Sequence, residues 1–220
     1  MIRVAKVFPR PKVSSIKMIA IIDYGMGNIH SVRKAMEYMG ADTLVTNKPA
    51  DIRSAHKMVL PGVGAFDDAM QEMDKRGLTA VIKDEIKRKK PLLGICLGMQ
   101  LLFEQSQEAK AAKGLGVLRG SVEKFSRGPG LKVPHMGWNQ LSLRKKDCPL
   151  FAGITDTSYV YFCHSYYPKP DDSGVTAATC DYGQQFSCAV WQDNVYGVQF
   201  HPEKSQEVGL RIIKNFIQLC

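Results

Sequence analysis

A cysteine framed by glycines, Gly94-Ile95-Cys96-Leu97-Gly98, sits directly after the apolar run 91–95 and directly before a helical pattern at 99–105. No other feature constrains the fold as tightly. A strand that hands over to a helix at one residue does so through a strained turn, and flanking glycines let such a turn present a side chain at its tip. Weaker versions recur upstream, where Gly25-Met26-Gly27-Asn28 and Pro61-Gly62-Val63-Gly64 each follow a strand-like run and precede a helix-like one. Strands expected at 18–23, 43–46 and 58–60 alternate with helices at 28–39 and across 65–90. This alternation predicts crossover units on a mainly parallel sheet, with the glycine loops at its carboxyl edge, where open α/β sheets bind ligands.

Beyond the cysteine the pattern changes. Strand-like runs follow at 114–124, 136–143, 159–163, 175–180, 187–191 and 195–200, the last two flanking an Asp193-Asn194 turn. A closing helix at 206–219 carries Val208, Ile212, Ile213, Phe216 and Leu219 at helical spacing. The expected architecture is α/β in three layers, a mixed, mainly parallel sheet flanked by helices, with its later strands partly antiparallel. With 220 residues, 45% of them apolar, the chain can bury a core without staples. Residues 18–220 read as one domain without internal repeats, and the charged run 83–90 as a solvated helix face.

Charge and cysteine usage exclude several classes. Of the net charge of +9, five units come from Arg3, Lys6, Arg10, Lys12 and Lys17 in a leader that contains no acid. Residues 1–17 lack the long apolar core of an export signal and read as an extension or expression remnant ahead of a second start at Met18. The remainder carries only +4, too little to suggest nucleic acid. The longest near-apolar stretch, 91–103, is interrupted by Gln100 and too short to span a bilayer. The six cysteines form neither a C-x-x-C pair nor a zinc-spaced cluster, so no metal is expected and a reducing, cytoplasmic setting is. A phosphate-binding G-x-x-x-x-G-K is absent, and the glycines at 114–120 miss dinucleotide spacing, leaving no cofactor motif.

The chemistry converges on the framed cysteine. At a helix N-terminus, free N–H groups and the helix dipole favour the thiolate, the species that attacks. A thiol nucleophile needs a general base, and the base needs a group to hold its tautomer. His201 and Glu203, in Gln199-Phe200-His201-Pro202-Glu203 at a strand end, supply both, whereas His30, His56, His135 and His164 have no acid two residues away. His135 and His164 therefore read as structural. Backbone N–H groups of Leu97 and of the Pro61–Gly64 turn, at Val63 and Gly64, are the candidate oxyanion donors.

These three segments, in this order and spacing, resemble the class I glutamine amidotransferases across residues 18–220. Within that family, Gly25-Met26-Gly27-Asn28, Pro134-His135-Met136-Gly137-Trp138-Asn139, His164-Ser165-Tyr166 and His201-Pro202-Glu203-Lys204-Ser205 look like the glutaminase subunits of imidazole glycerol phosphate synthases. The resemblance implies a Cys96, His201, Glu203 triad that hydrolyses L-glutamine through a γ-glutamyl thioester. It implies substrate contacts from Gly62, Gln100, Ser165, Tyr166 and one acid, Glu108 preferred over Glu104, which reads as a solvated carboxylate. It also implies a heterodimer with a (β/α)8 barrel cyclase that uses the released ammonia in histidine biosynthesis, with Asn28, Trp138, Tyr161 and Lys204 at the interface or gate. Three other readings stay open: a related amidotransferase subunit, such as one amidating a surface-polysaccharide sugar; a free-standing cysteine hydrolase; and a catalytically silent binding module.

Overall fold

The computed structural model describes residues 18–126 and 131–220; the basic leader at 1–17 lies outside the described residues. Its first half runs β1 (Ile19–Ile22), α1 (Ile29–Tyr38), β2 (Thr43–Thr46), α2 (Pro49–Ser54), β3 (Lys57–Gly62), α3 (Phe66–Lys75), α4 (Leu78–Lys87), β4 (Leu92–Cys96) and α5 (Leu97–Gln100). Strands β5 (Gln105–Ser106), β6 (Gly120–Lys124), β7 (His135–Gln140), β8 (Ser142–Leu143), β9 (Tyr159–His164), β10 (Tyr166–Pro170), β11 (Thr176–Asp181), β12 (Gln185–Gln192) and β13 (Val195–Val198) follow, and α6 (Gln206–Leu219) closes the chain.

The central sheet has the order β2-β1-β3-β4-β13-β12-β11-β8. Its first five strands are parallel and the rest antiparallel. Side-chain alternation along each central strand makes the three layers. Ile19, Ile21, Val59, Leu93 and Ile95 point into a core closed by α1 and α6, through Val32, Met36, Ile212, Ile213 and Phe216. Ala20, Ile22, Met58, Leu60 and Leu92 point into a second core closed by α2, α3, α4 and α5, through Ile52, Phe66, Met73, Ile82 and Met99. Two smaller sheets, β10-β6-β5 and β7-β9, extend the carboxyl edge and form one wall of the site.

Four differences from the sequence reading have physical causes. The helical pattern at 99–105 stops after Gln100, because the carbonyls of Leu101, Leu102 and Phe103 accept N–H groups of the 115–118 segment instead of continuing the helix. That capture also keeps 115–118 out of a strand, and the run read at 114–124 is β6 alone from Gly120. Strand β10 went unread because Pro168 and Pro170 argue against a strand, yet it lies at the edge of its sheet, where proline is tolerated. Helix α2, also unread, opens with Pro49 and carries Asp51 in its first turn, both ordinary helix-start signals.

Replacing Gly98 by Ala is expected to cost about 1–3 kcal/mol of stability, because the new Cβ would run into the Leu60 carbonyl of β3. A denaturant midpoint compared with the parent chain checks this.

Candidate active site

Strand β4 ends at Cys96, whose backbone turns to φ +56°, ψ −112°, a conformation most residues avoid, and α5 begins at the next residue. The glycine frame follows from close approach: a Cβ on Gly94 would sit 2.7 Å from the Gly98 carbonyl oxygen, and one on Gly98 would overlap that of Leu60. Gly62 of β3 lies in register with Cys96. Behind it, the buried Tyr24 hydroxyl donates to the Pro61 carbonyl at 2.9 Å. Burial, and then the nearness of Cys96, push the Tyr24 phenol above its ordinary range, so it stays a donor.

His201 follows β13 and opens a single helical turn, Pro202–Lys204. Its backbone N–H donates to Tyr161 at 2.9 Å, and the Ser205 hydroxyl donates to its carbonyl at 2.7 Å while accepting the Tyr161 N–H at 2.9 Å. The imidazole Nδ1 lies 2.9 Å from Glu203 Oε1, with both side chains all but fully buried. Burial alone would lower the imidazole; hydrogen bonds to the Cys96 sulfur and the Glu203 carboxylate, with their charges, outweigh it and hold His201 up to about 10. This is the signature of an imidazolium held between an anion and a sulfur. Oε2 of Glu203 has no hydrogen-bond partner among the described residues.

A cleft of ≈340 Å³ opens over the sulfur. It gathers Val63, Gly64, Cys96, Leu97, Gln100, Glu108, Ser165, Tyr166, His201 and Lys204 from the sequence-predicted set. Gly62 and Glu203 stand behind the lining. Between the two acids the structure discriminates: Glu104 is tied to the Gly120 N–H, while half-buried Glu108 borders the cleft and accepts the Phe66 N–H at 3.0 Å. Burial raises the Glu108 carboxyl, against the Phe66 hydrogen bond. Asn28 lies just before α1, with its side chain making no cap. Trp138 and Tyr161 face each other across β7 and β9 with rings 6.0 Å apart, and Lys204 lies 5.9 Å from the Tyr161 ring. Trp138 is 46% exposed, so these aromatics form an outer edge of the site rather than core.

Sequence reasoning missed that His164 lines the cleft and that it joins His135 in a directed chain. The Tyr166 carbonyl can only accept, so His164 Nδ1, at 2.8 Å, carries the proton and its Nε2 is an acceptor. His135 Nδ1, 3.0 Å away, must then donate, leaving its Nε2 to accept from Asn139 at 3.3 Å. Desolvation pushes His135 down to about 4 and His164 down to about 3, consistent with two neutral rings. The signal available in sequence was that each histidine lies in a motif, 134–139 and 164–166, but nothing local joins the two motifs.

Comparison with known proteins places this geometry. The sequence model of the glutamine amidotransferase class-I family matches residues 20–219. The chain is 51% identical over 204 residues to the imidazole glycerol phosphate synthase subunit HisH of Syntrophotalea carbinolica, covering 90% of this chain and 98% of that one. It is 52% identical over 203 residues to the same-named subunit of Geobacter sulfurreducens, covering 90% and 97%. Among solved structures, that of PurLQS from Thermotoga maritima superposes with a TM-score of 0.70 at 19% identity, covering 93% of this chain and 97% of that chain, a likeness of fold.

The two histidine groups act on stability in opposite directions. His135 and His164 stay neutral in the fold but take protons at about 6.5 when unfolded, so their contribution is lost as pH falls from about 6.5 toward 4. His201, raised in the fold, contributes fully below about 6.5, and that contribution fades as pH rises toward 10. Imidazole ¹H–¹⁵N spectra should show His135 and His164 as neutral Nδ1–H tautomers at pH 5, and His201 doubly protonated at pH 8.

Proposed function

The chain belongs to the class I glutamine amidotransferase family, and on that premise we propose that its cleft hydrolyses L-glutamine through a Cys96 thioester, as the glutaminase subunit of an imidazole glycerol phosphate synthase. The observation that carries the assignment is identity of 51% and 52% to such subunits along nearly their full length. The observation that supports the chemistry is the buried imidazole hydrogen-bonded to both the Cys96 sulfur and the Glu203 carboxylate.

In this reading the Cys96 thiolate attacks the side-chain carbonyl carbon of glutamine, forming the C–S bond and an oxyanion. N–H groups of Leu97 and of the Val63 and Gly64 turn receive that charge. His201 gives its proton to the departing amine, the C–N bond breaks, and ammonia leaves. Water then attacks the thioester, handing a proton to His201, and glutamate departs as the thiolate is restored. Glu203 keeps His201 oriented and offsets its charge throughout. Glu108 takes the substrate ammonium, and Gln100 with the backbone of Ser165 and Tyr166 positions the rest.

Ammonia released to bulk water would be protonated and lose its nucleophilicity, so a docked acceptor enzyme completes the function. We place a barrel cyclase over the edge formed by Asn28, Trp138, Tyr161 and Lys204, so that residues 18–220 act as the glutaminase half of a heterodimer in histidine biosynthesis. The exposed side chains of that edge, among them Met136 and Tyr159 at 60% and 53%, support a docked partner there.

Cys96→Ala should abolish glutamate release, measured with the cyclase and its nucleotide ligand present, while ammonia-dependent synthesis by the complex persists; equal loss of both would make Cys96 structural. Lys204→Ala and Tyr161→Ala should lower the product formed per glutamate released more than they lower the thermal midpoint. Rapid turnover by the chain alone, indifferent to the cyclase, would instead favour a free-standing hydrolase.

A further inference from the structure

Gln199 is wholly buried, with a relative exposure of 0%, and its position two residues before His201 gives it no part in the scheme above. The hydrogen bonds around it fix which way its amide points. Gln100 Nε2 donates to the Tyr166 carbonyl at 3.0 Å, and a backbone carbonyl can only accept, so that end of Gln100 is the nitrogen. Its second hydrogen meets the Gln199 side chain at 3.0 Å, which must therefore present Oε1. The remaining end of Gln199 is Nε2, and it lies 3.6 Å from the Cys96 sulfur, within hydrogen-bond range for sulfur. The Gln199 backbone is pinned as well, its N–H donating to the Cys188 carbonyl of β12 at 2.9 Å.

Resting on the glutaminase reading, we infer that Gln199 belongs to the catalytic machinery: its side-chain amide, oriented by Gln100, donates to the Cys96 sulfur and holds it as the attacking thiolate. The sulfur needs such a donor. As a thiol the sulfur donates toward the Cys163 carbonyl at 4.0 Å, an oxygen that opposes negative charge once the proton has gone. Charge on the sulfur is felt by His201, which it helps to raise, and by Tyr24, whose phenol it raises, while His201 in turn lowers His164. During transfer of the His201 proton to the leaving amine, the imidazolium charge disappears from the sulfur's surroundings; the Gln199 amide, which does not titrate, keeps a donor on the sulfur through that step and through its return as leaving group.

The test compares the full chain with Gln199→Met, which removes the donor at similar volume, and with Gln199→Glu, which keeps an acceptor for Gln100 and turns an oxygen toward the sulfur. Site-resolved iodoacetamide alkylation of Cys96 is followed against pH, and glutaminase kinetics are measured with the cyclase bound. In both variants the pH of half-maximal alkylation should rise by about one unit, more in the glutamate variant. kcat at pH 7 should fall about tenfold with KM within about twofold, and recover as pH rises. An unmoved alkylation midpoint in a variant that keeps its thermal midpoint overturns the inference, as does a loss carried by KM or constant across pH. If one variant fails to fold, the other decides. Absence of glutamine hydrolysis in the parent complex would sink the glutaminase reading instead, while the alkylation midpoint would still show whether the Gln199 amide supports the thiolate.

Discussion

Everything in the site depends on how closely α5 packs against β3 and β4. The helix can start at Leu97 only if Gly98 slides under the Leu60 carbonyl and Gly94 under that of Gly98, and this approach throws Cys96 into positive φ. A residue with a Cβ in that conformation costs on the order of 1 kcal/mol or more, stored where the surrounding sheet over-determines it. The cost is met by burial on both faces, since β3 and β4 sit between two cores. The sheet thus fixes the sulfur to the backbone of its own strand rather than to a mobile side-chain stem. A register shift of one residue in β4 would turn the cysteine to the other face.

Given a fixed sulfur, electrostatics do the rest. Two almost fully buried charged groups, His201 and Glu203, would be costly apart, and together they are tolerable because each satisfies the other at 2.9 Å. The pair is more than an isolated bridge, because a sulfur stands at its far end. The donors aimed at Cys96 come from residues distant from it in sequence: the turn after β13 brings His201, and the residue just past the end of β13 is Gln199. One short stretch, 199–203, therefore supplies a donor to the sulfur, the imidazole and the carboxylate paired with that imidazole. Gln199 and His201 are two residues apart as the strand runs out, a spacing that sends both toward the same side, and the turn opened by Pro202 folds Glu203 back onto the imidazole.

This explains which parts of the site were legible in the sequence. The elbow was legible because glycine placement and hydrophobic period change at the same residue. The pairing of His201 with Glu203 was legible because the two sit two positions apart at a strand end. Contacts that join remote segments were not. Nothing local to Gln199 says that Gln100 will lock its amide, since that depends on the Tyr166 carbonyl arriving from β10, a strand whose prolines disguise it. Glu104 and Glu108 both fitted loosely by spacing, with Glu108 preferred, and the chain path set by the capture of 101–103 by 115–118 is what turns Glu104 to the Gly120 N–H while Glu108 borders the cleft. The helix end at Gln100 was misread for the same reason, because periodicity reports propensity and cannot report a competing set of N–H donors.

The polar wiring of the cleft leads to one point, the backbone of Tyr166. Its carbonyl accepts both from Gln100, the residue that orients the amide on the sulfur, and from His164, the end of the chain that starts at Asn139. Asn139 follows Trp138 on β7 but turns to the opposite, inner face, toward His135, and is anchored to the Asp181 carbonyl at 2.7 Å. Two donors thus meet at the Tyr166 carbonyl, His164 at the end of the chain from Asn139 and Gln100 from the side of Cys96, where Gln199 in turn donates to the sulfur. Both imidazoles must stay neutral for the direction to hold, because a protonated His164 would present a second donor to a His135 that is itself donating. Burial supplies that condition by lowering both rings far below neutrality. The aromatic box of Phe125, Phe162 and Tyr182 packed around the two histidines thus does more than fill space. It excludes the water that would let them charge, and so keeps the backbone that lines the cleft in one orientation.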